Sequence, residues 1–401
     1  MFRFHAAPLP GEWVNDPNAL FFDGSTYRLF AQHSTSAPNF KTVNWGSFSS
    51  VDLVEWQWEG VVIEASPEHS IYSGSVCATG ATTNEAFYTR HDRSNGWQTQ
   101  SRAVAPSWVD TGVSLGPEGA NCRDPFVFRH GSSAGWHMIL AEPCDWVNWT
   151  DDEPSHLSIW HSVDRLTWHR TGTIGPWHPK GVMWEVPVIV SFGEVDALII
   201  SLVNRRKGGA ECSVRYWLGK FSGKDFLPNS DFPAEGILLD LGPDFYAAIP
   251  NVSEGWPYED RAIIAWGSNW QTAKTFAWPG NIHGGPLTMV RRLLLEDGSL
   301  KQRPFERIDP VATCYRWRNG DPVLIVVKTE LALLSIEIDG DGAMRAERQC
   351  EDMAQCWRRV VANVLAAPSD ILVFNDAGLI EVYIIETGFV LTVFLPGVEP
   401  A

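Results

Sequence analysis

The hydrophobic and polar positions of the chain alternate in short runs that are bounded by Gly, Pro, Asn and Asp. Examples are "STYRLFAQHS" (25–34), "GWHMILAEP" (135–143), "VDALIISLVN" (195–204) and "RAIIAWGSN" (261–269). Short alternating or apolar runs are typical of β-strands, and the 3.6-residue period of an amphipathic helix is scarce. The pattern therefore predicts an all-β protein.

A strand-and-turn unit recurs along the first three quarters of the chain. "SSVDLVEWQWEG" at 49–60 is echoed by "HSVDRLTWHRTG" at 161–172, and "YWLGKFSGKDF" follows at 216–226. These positions indicate an underlying period of roughly 50 to 60 residues, which is typical of a β-propeller blade. About five such units fit into the region, so we predict a five-bladed β-propeller over residues 1–304.

The pattern changes after "GSLKQRPFERIDP" (298–310), where Trp becomes rare and hairpin-like segments appear. One of them, "ILVFNDAGLIEVYIIETG" (371–388), places apolar runs on both sides of an Asn-Asp-Ala-Gly turn. We therefore predict a domain boundary near residue 305 and a small C-terminal β-sandwich over 305–401.

Charge and composition exclude several classes of partner. The 401 residues include 31 Lys plus Arg and 48 Asp plus Glu, and the net charge of −17 disfavours nucleic acid and anionic membranes. No uncharged apolar run approaches the length of about 18 residues that spans a bilayer, and the first residues lack the apolar core of a secretion signal. We expect a cytoplasmic protein without a membrane partner.

The seven Cys form no Cys-x-x-Cys pair and no spacing typical of metal ligands. Their odd number also leaves at least one thiol outside any complete set of disulfides. Reduced thiols fit a cytoplasmic location. We expect neither a metal nor another cofactor.

Three carboxylates stand out as candidates for chemistry. Asp16 lies in "WVNDPNA", Asp124 in "NCRDPFVF" and Glu185 in the apolar "VMWEVPVIV". Each also fits a structural interpretation, because Asn-Asp-Pro is common in turns and the other two acids could form buried ion pairs with an Arg. A propeller gathers the first strand of each blade around one axis, so the three acids are expected to converge on one pocket.

The three segments, in this order and at these separations, resemble the signature blocks of glycoside hydrolase family 32, the invertase, levanase and inulinase family. Shorter segments agree, including "YRLFAQH", "NWGSFSSVDLVEW", "IYSGSV" and "LDLGPDFYA". The chain departs from the family pattern at Ala19, Val186 and Val188, and none of these changes removes a catalytic carboxylate.

The resemblance implies a five-bladed propeller with a fructose pocket and a specific set of roles. It places the nucleophile at Asp16, the transition-state stabiliser at Asp124 and the general acid/base at Glu185. It further implies five fructose-contacting residues, namely Asn15, Gln32, Trp45, Ser73 and Arg123. The implied partner is a small fructose-containing carbohydrate, such as sucrose or a short fructo-oligosaccharide.

The chemistry of glycoside cleavage explains why carboxylates are needed. One acid must protonate the leaving oxygen while another carboxylate attacks the anomeric carbon, so the two need opposite protonation states. We expect apolar surroundings and neighbouring carboxylates to favour the protonated form of Glu185, and hydrogen bonds to keep Asp16 ionised. Arg123 is expected to keep Asp124 ionised.

Three other functions remain open from the sequence. A fructosyltransferase uses the same covalent intermediate and differs only in what releases it. An inverting five-bladed propeller glycosidase acting on arabinose or xylose also uses two Asp and a Glu, with its carboxylates farther apart. A carbohydrate-binding propeller without activity is disfavoured because all three carboxylates are present.

Overall fold

A computed structural model of the chain describes residues 2–35, 42–80, 83–115, 118–119, 121–131, 135–142, 155–178, 181–204, 211–252, 256–305, 313–318, 320–351, 356–362, 364–365 and 368–397. Nearly all regular structure in these ranges is β-strand, so the predicted all-β class is confirmed. The two short exceptions are a helical turn, α1 (Thr272–Thr275), and a 3-10 turn (Pro279–Asn281).

Five antiparallel sheets follow one another along residues 13–304. Sheet 1 contains β1 (Trp13–Phe22), β2 (Tyr27–Ser34), β3 (Asn44–Ser50) and β4 (Gln57–Ile63). Sheet 2 contains β5 (His69–Gly80), β6 (Thr83–Asp92), β7 (Gln98–Val104), β8 (Val109–Asp110) and β9 (Glu118–Gly119). Sheet 3 contains β10 (Arg123–Phe128), β11 (Trp136–Glu142), β12 (His156–Ser162) and β13 (His169–Ile174).

Sheets 4 and 5 complete this series. Sheet 4 contains β14 (Val182–Phe192), β15 (Val195–Asn204), β16 (Glu211–Phe221), β17 (Phe226–Pro228) and β18 (Ile237–Leu238). Sheet 5 contains β19 (Tyr246–Pro250), β20 (Arg261–Trp266), β21 (Arg291–Glu296) and β22 (Ser299–Pro304). Strands pair in chain order within each sheet, except that β9 pairs with β7 and β18 pairs with β16.

The first strands of the five sheets contact one another in cyclic order, β1 with β5, β5 with β10, β10 with β14, β14 with β19, and β19 with β1. Their burial explains this position. Every residue of β1 except the last is buried, whereas β4, the last strand of the same sheet, alternates exposed and partly buried positions. A strand whose residues are buried on both faces needs neighbours on both sides, so the first strands form the centre of the assembly.

The recurring sequence unit forms the same turn in two sheets. Ser50 Oγ accepts the backbone N–H of Leu53 at 2.9 Å between β3 and β4, and Ser162 Oγ accepts that of Arg165 at 2.8 Å between β12 and β13. In each turn the Asp two residues after the Ser caps two further N–H groups. The repeat therefore encodes the connection from the third to the fourth strand.

Two further sheets lie in the C-terminal part of the described chain. Sheet 6 pairs β23 (Thr313–Trp317), β28 (Ser369–Asp376), β29 (Leu379–Ile384) and β30 (Phe389–Phe394) in that order. Sheet 7 contains β24 (Val323–Lys328), β25 (Ala332–Ile338), β26 (Met344–Cys350) and β27 (Trp357–Val361). Apolar side chains of both sheets share one core, which includes Trp317, Ile336, Ala346, Val382 and Val393.

A buried charged cluster joins sheet 5 to sheet 6, and we call it the junction cluster: His5, Asp240, Arg291, Asp376 and Glu381. Arg291 donates to Glu381 Oε2 from Nη2 at 2.7 Å and to Asp240 Oδ2 from Nη1 at 2.7 Å. His5 lies between Asp376 and Glu381, at 2.7 and 2.9 Å. Burial alone would lower the pKa of His5, but these two carboxylates raise it to about 9.

Candidate active site

The three predicted carboxylates come together from three different sheets. Asp16 lies on β1, Asp124 on β10 and Glu185 on β14, and each is buried with 6% to 8% of its surface exposed. They are close enough for the charge of Glu185 to raise the pKa of both aspartates. Asp16 and Glu185, which are 169 positions apart in the sequence, thus share one site.

An irregularity in each first strand directs these side chains into the site. Strand pairing is interrupted between Val14 and Ala19 in β1, and similar shifts occur in β5, β10, β14 and β19 next to their site residues. Asp124 and Val186 adopt positive φ angles of 61° and 45° at these points. Bulges of this kind turn side chains away from their regular direction and are frequent beside active sites.

Asp16 is held by donors from its own sheet and from sheet 2. Asn15 Nδ2 donates to Oδ1 at 2.9 Å, and Ser73 Oγ donates to Oδ2 at 2.7 Å. Gln32 connects these two donors, because its Oε1 accepts from Asn15 and its Nε2 donates to Ser73. Burial raises the pKa of Asp16 to about 6, Ser73 and Asn15 lower it, and the charge of Glu185 raises it. Asp16 is therefore largely ionised at neutral pH.

Asp124 is fixed by backbone contacts at its bulge. Its Oδ2 accepts the N–H of Val186 at 2.9 Å, and its own N–H donates to Thr89 Oγ1 at 3.1 Å. Burial raises the pKa of Asp124 to about 7, although Arg123 lowers it. The effect of Arg123 has the expected sign, but burial outweighs it, so Asp124 is divided between its two protonation states near neutral pH.

Glu185 accepts hydrogen bonds on both oxygens. Tyr246 donates its hydroxyl to Oε2 at 2.5 Å, and Arg123 Nη1 lies 3.3 Å from Oε1. Arg123 is itself oriented by Asn121 Oδ1 at 2.7 Å and Gln98 Oε1 at 3.3 Å. The guanidinium therefore forms its ion pair with a carboxylate on the next sheet, in addition to influencing its sequence neighbour.

The other predicted site residues surround the carboxylates at different depths. Asn15, Gln32, Ser73 and Arg123 belong to the hydrogen-bonded network described above. Trp45 lies behind it, fully buried, and donates from Nε1 to the carbonyl of Tyr72 at 3.0 Å. Asn15 is also fully buried, so direct contacts of Asn15 and Trp45 with a sugar stay predictions.

Tyr246 is the main site residue that was not singled out from the sequence. It opens β19 and supplies the contribution of sheet 5 to the site. Two signals pointed to it: the segment "LDLGPDFYA", and the expectation of one site residue on each first strand. The ring of Tyr72 next to Ser73 was also missed. It stacks on His91 with centroids 4.5 Å apart, and although burial raises the pKa of its hydroxyl, Arg123 is near enough to lower it.

This arrangement can carry out acid/base and nucleophilic chemistry on a polar substrate. It combines Asp16, which is largely ionised, with Asp124, whose pKa lies near neutral pH. The third carboxyl, Glu185, is held by Arg123 and by the hydroxyl of Tyr246. Within the described ranges, no group of three or more His, Cys, Asp or Glu side chains is placed to hold a metal ion. In the same part of the chain, no helix is long and apolar enough to cross a bilayer. The combination of Asp16, Asp124 and Glu185 in one site is typical of glycosidases.

Comparison with known families agrees with the class that the site defines. Residues 5–304 match the N-terminal domain of glycosyl hydrolases family 32. The chain belongs to this family.

Curated relatives share about a quarter of their residues with this chain. An extracellular exo-inulinase of Aspergillus awamori is 28% identical over 361 residues, covering 76% of this chain and 64% of that protein. A raffinose invertase of Escherichia coli is 27% identical over 331 residues, covering 76% and 65%. A sucrose-6-phosphate hydrolase of Zymomonas mobilis is 27% identical over 340 residues, covering 76% and 62%. The chain thus spans less than two thirds of the length of these relatives.

Solved structures show the same fold over nearly the whole chain. The sucrose-6-phosphate hydrolase from Lactobacillus gasseri superposes with a TM-score of 0.79 at 21% identity, covering 99% of this chain and 88% of that one. The exo-inulinase from Aspergillus awamori gives a TM-score of 0.78 at 19% identity, covering 99% and 93%. At these identities the likeness concerns the fold.

Proposed function

We propose that this protein is a retaining β-fructofuranosidase that releases fructose from sucrose or short fructo-oligosaccharides. The observation that carries the proposal is the convergence of Asp16, Asp124 and Glu185 from three sheets on one buried site, in a chain that belongs to glycosyl hydrolases family 32. The names of the relatives, an inulinase, an invertase and a sucrose-6-phosphate hydrolase, support a fructose-containing substrate.

The proposal includes a finer description of the architecture. The five sheets of residues 1–304 are the blades of a β-propeller, and residues 305–401 form a β-sandwich. The cyclic contacts of the five first strands support the propeller, and the core shared by sheets 6 and 7 supports the sandwich. The boundary near residue 305 borders residues 306–312, which lie outside the described ranges.

In the first chemical step, Glu185 gives its proton to the oxygen of the leaving group while Asp16 attacks the anomeric carbon of the fructosyl unit. The bond to the leaving group breaks and an ester bond to Asp16 forms. In the second step, Glu185 removes a proton from water, which attacks the same carbon and releases fructose. Retention requires the attacking and protonating groups to lie about 5–5.5 Å apart.

Asp124 has a different role in this mechanism. The N–H of Val186 holds Oδ2 of Asp124, which fixes the carboxyl in the site. A carboxylate that grips ring hydroxyls stabilises the positive charge that develops on the sugar. Substrate hydroxyls would supply hydrogen bonds to Asp124, and these would favour its ionised form.

The remaining residues are proposed to position the nucleophile and the sugar. Asn15, Gln32 and Ser73 hold Asp16 through a continuous chain of hydrogen bonds. Arg123 holds Glu185 and is proposed to contact the fructosyl unit. Trp45 supports the backbone next to Ser73 from behind. The net charge of −17 supports a neutral small carbohydrate as the partner, rather than nucleic acid, and cytoplasmic location stays a prediction.

The decisive experiment incubates the purified full-length chain with sucrose, sucrose 6-phosphate, inulin, levan and 1-kestose and measures free fructose. We expect release from sucrose and 1-kestose, and loss of that release in Asp16→Asn. Longer oligosaccharides in place of free fructose would show a transferase. NMR of the first product should show retained anomeric configuration, and inversion would overturn the covalent mechanism. No reaction with any of the five would overturn the proposed function.

A further inference from the structure

A second cavity lies between the five first strands, beyond the catalytic residues along each strand. It has a volume of about 120 Å³, and its inner wall includes Asn18, Ser75 and Ile249. A cavity of this size has room for several waters or one small ion with part of its hydration shell.

The mouth of this cavity is basic. Three of its lining residues carry or can carry positive charge, namely Arg129, His130 and Arg261, and no Asp or Glu is found among the described lining residues. His130 is paired with Asp196 at 2.9 Å. The two arginines therefore account for the charge that faces the cavity.

Neither arginine forms an ion pair within the described part of the chain. Arg261 Nη2 donates to the carbonyl of Ser191 at 3.4 Å, and burial lowers the pKa of its guanidinium. Arg129 lies over the ring of Trp136, with 4.5 Å between the guanidinium carbon and the ring centroid. Among the described residues the partly buried guanidinium of Arg261 has one hydrogen bond, to Ser191, so a ligand or water is needed to complete the others, whereas the guanidinium of Arg129 is exposed to solvent.

The catalytic carboxylates are far enough away to permit an anion here. Arg129 follows Asp124 by five residues, which span at most about 17 Å of extended chain and less across the bulge at Asp124. The groups between the two sites are uncharged: Asn18 donates to the carbonyl of Asp16 at 3.2 Å, and Ser75 donates to that of Pro125 at 2.8 Å. The cavity thus has a neutral polar inner end and a cationic mouth.

We propose that this cavity is a binding site for a small oxyanion, with phosphate as the best match. Two guanidinium groups supply planar pairs of N–H donors, which fit the oxygens of phosphate or a carboxylate. The site is separate from the sugar pocket, and its occupancy does not depend on the function proposed above.

Isothermal titration of the full-length chain with inorganic phosphate, at constant ionic strength in chloride, tests the proposal. We expect saturable binding of one phosphate per chain, and at least tenfold weaker binding in Arg261→Gln and Arg129→Gln. The matched control is Arg345→Gln, which removes the same charge from an exposed position on β26 and should bind phosphate as the unaltered chain does. A parallel titration with acetate distinguishes a tetrahedral from a planar oxyanion.

Several results would overturn the proposal. Absence of saturable binding of either anion would do so, as would equal affinities in Arg129→Gln and Arg345→Gln. Arg129 is exposed, so its variant is expected to fold even if Arg261→Gln does not. An anion that binds at Arg123 in the catalytic site would keep its affinity in both cavity variants, and this outcome also counts against the proposal.

Discussion

Ser73→Ala is the most informative change in the proposed nucleophile site. The hydroxyl of Ser73 donates to Asp16 Oδ2 at 2.7 Å from the neighbouring sheet, and it is one of the groups that lower the pKa of Asp16. Burial already raises that pKa to about 6. Removal of the hydroxyl leaves the ionised form of Asp16 with one donor fewer, so its pKa is expected to rise further.

The size of the effect follows from the charge of the acceptor. A hydrogen bond to a charged group contributes about 1.5–3 kcal/mol. Because one pKa unit corresponds to about 1.36 kcal/mol, the acidic limb of the rate profile should move up by about 1 to 2 pH units. Activity requires ionised Asp16, so Ser73→Ala should lose most activity near pH 6, and its loss relative to the unaltered chain should become smaller as the pH rises.

The assay is the pH dependence of kcat/KM for sucrose between pH 4 and 9. Ser101→Ala is the matched control, because Ser101 is equally buried and donates to a carboxylate outside the site, Asp110 Oδ1, at 2.6 Å. The control should alter stability but leave the limb in place. An acidic limb that does not move in Ser73→Ala, with the rate lowered equally at all pH values, would show that this hydrogen bond does not control ionisation of the nucleophile.

Four further results are expected. Asp16→Asn should abolish turnover yet raise the Tm at pH 8, because burial raises the pKa of Asp16 from 3.8 to about 6 on folding and its ionised form therefore destabilises the fold above pH 6. The gain in Tm should vanish at pH 3.5, and a lower Tm at pH 8 would contradict this reasoning. Glu185→Ala should lower kcat on sucrose by about 10²–10⁴-fold and much less on a fructoside whose leaving group needs no proton, whereas equal losses would argue against an acid role. Asp124→Asn should lower kcat at least about tenfold without lowering the Tm, and a lower Tm with normal kcat would make Asp124 structural. Activity should survive EDTA, and a loss that a divalent metal restores would refute the carboxylate-only mechanism.

The sequence was most informative where an acidic residue recurs on the first strand of a sheet. Asp16, Asp124 and Glu185 could be singled out because their three segments resemble the signature blocks of the family, and their catalytic roles stay predictions. The partner of Arg123 could not be predicted in the same way. Its contact with Glu185 depends on how β10 and β14 are placed side by side, and local sequence does not encode that.

Tyr246 and the basic cavity illustrate the same limit. The hydroxyl of Tyr246 reaches Glu185 only because sheet 5 follows sheet 4 around the centre. The cavity is lined by residues from all five sheets, so no single segment reveals its charge. By contrast, the Ser-x-Asp turns could be predicted from the sequence, because all of their hydrogen bonds lie within a few residues.

The junction cluster limits how this chain can be divided. Glu381 accepts from Arg291, His5, Tyr383 and the N–H of Met289, and burial would raise its pKa if Arg291 and His5 did not hold it at about 2. A fragment ending at residue 305 would keep Arg291 and His5 but lose the carboxylates of Glu381 and Asp376. Such a fragment corresponds to the region that matches the family, yet it would leave His5 without either carboxylate and Arg291 with Asp240 as its remaining ion-pair partner in the cluster. Sheets 1 to 5 and sheets 6 and 7 should therefore unfold in a single transition. A chimera that exchanges the C-terminal part with that of a relative must also match residues 5 and 291.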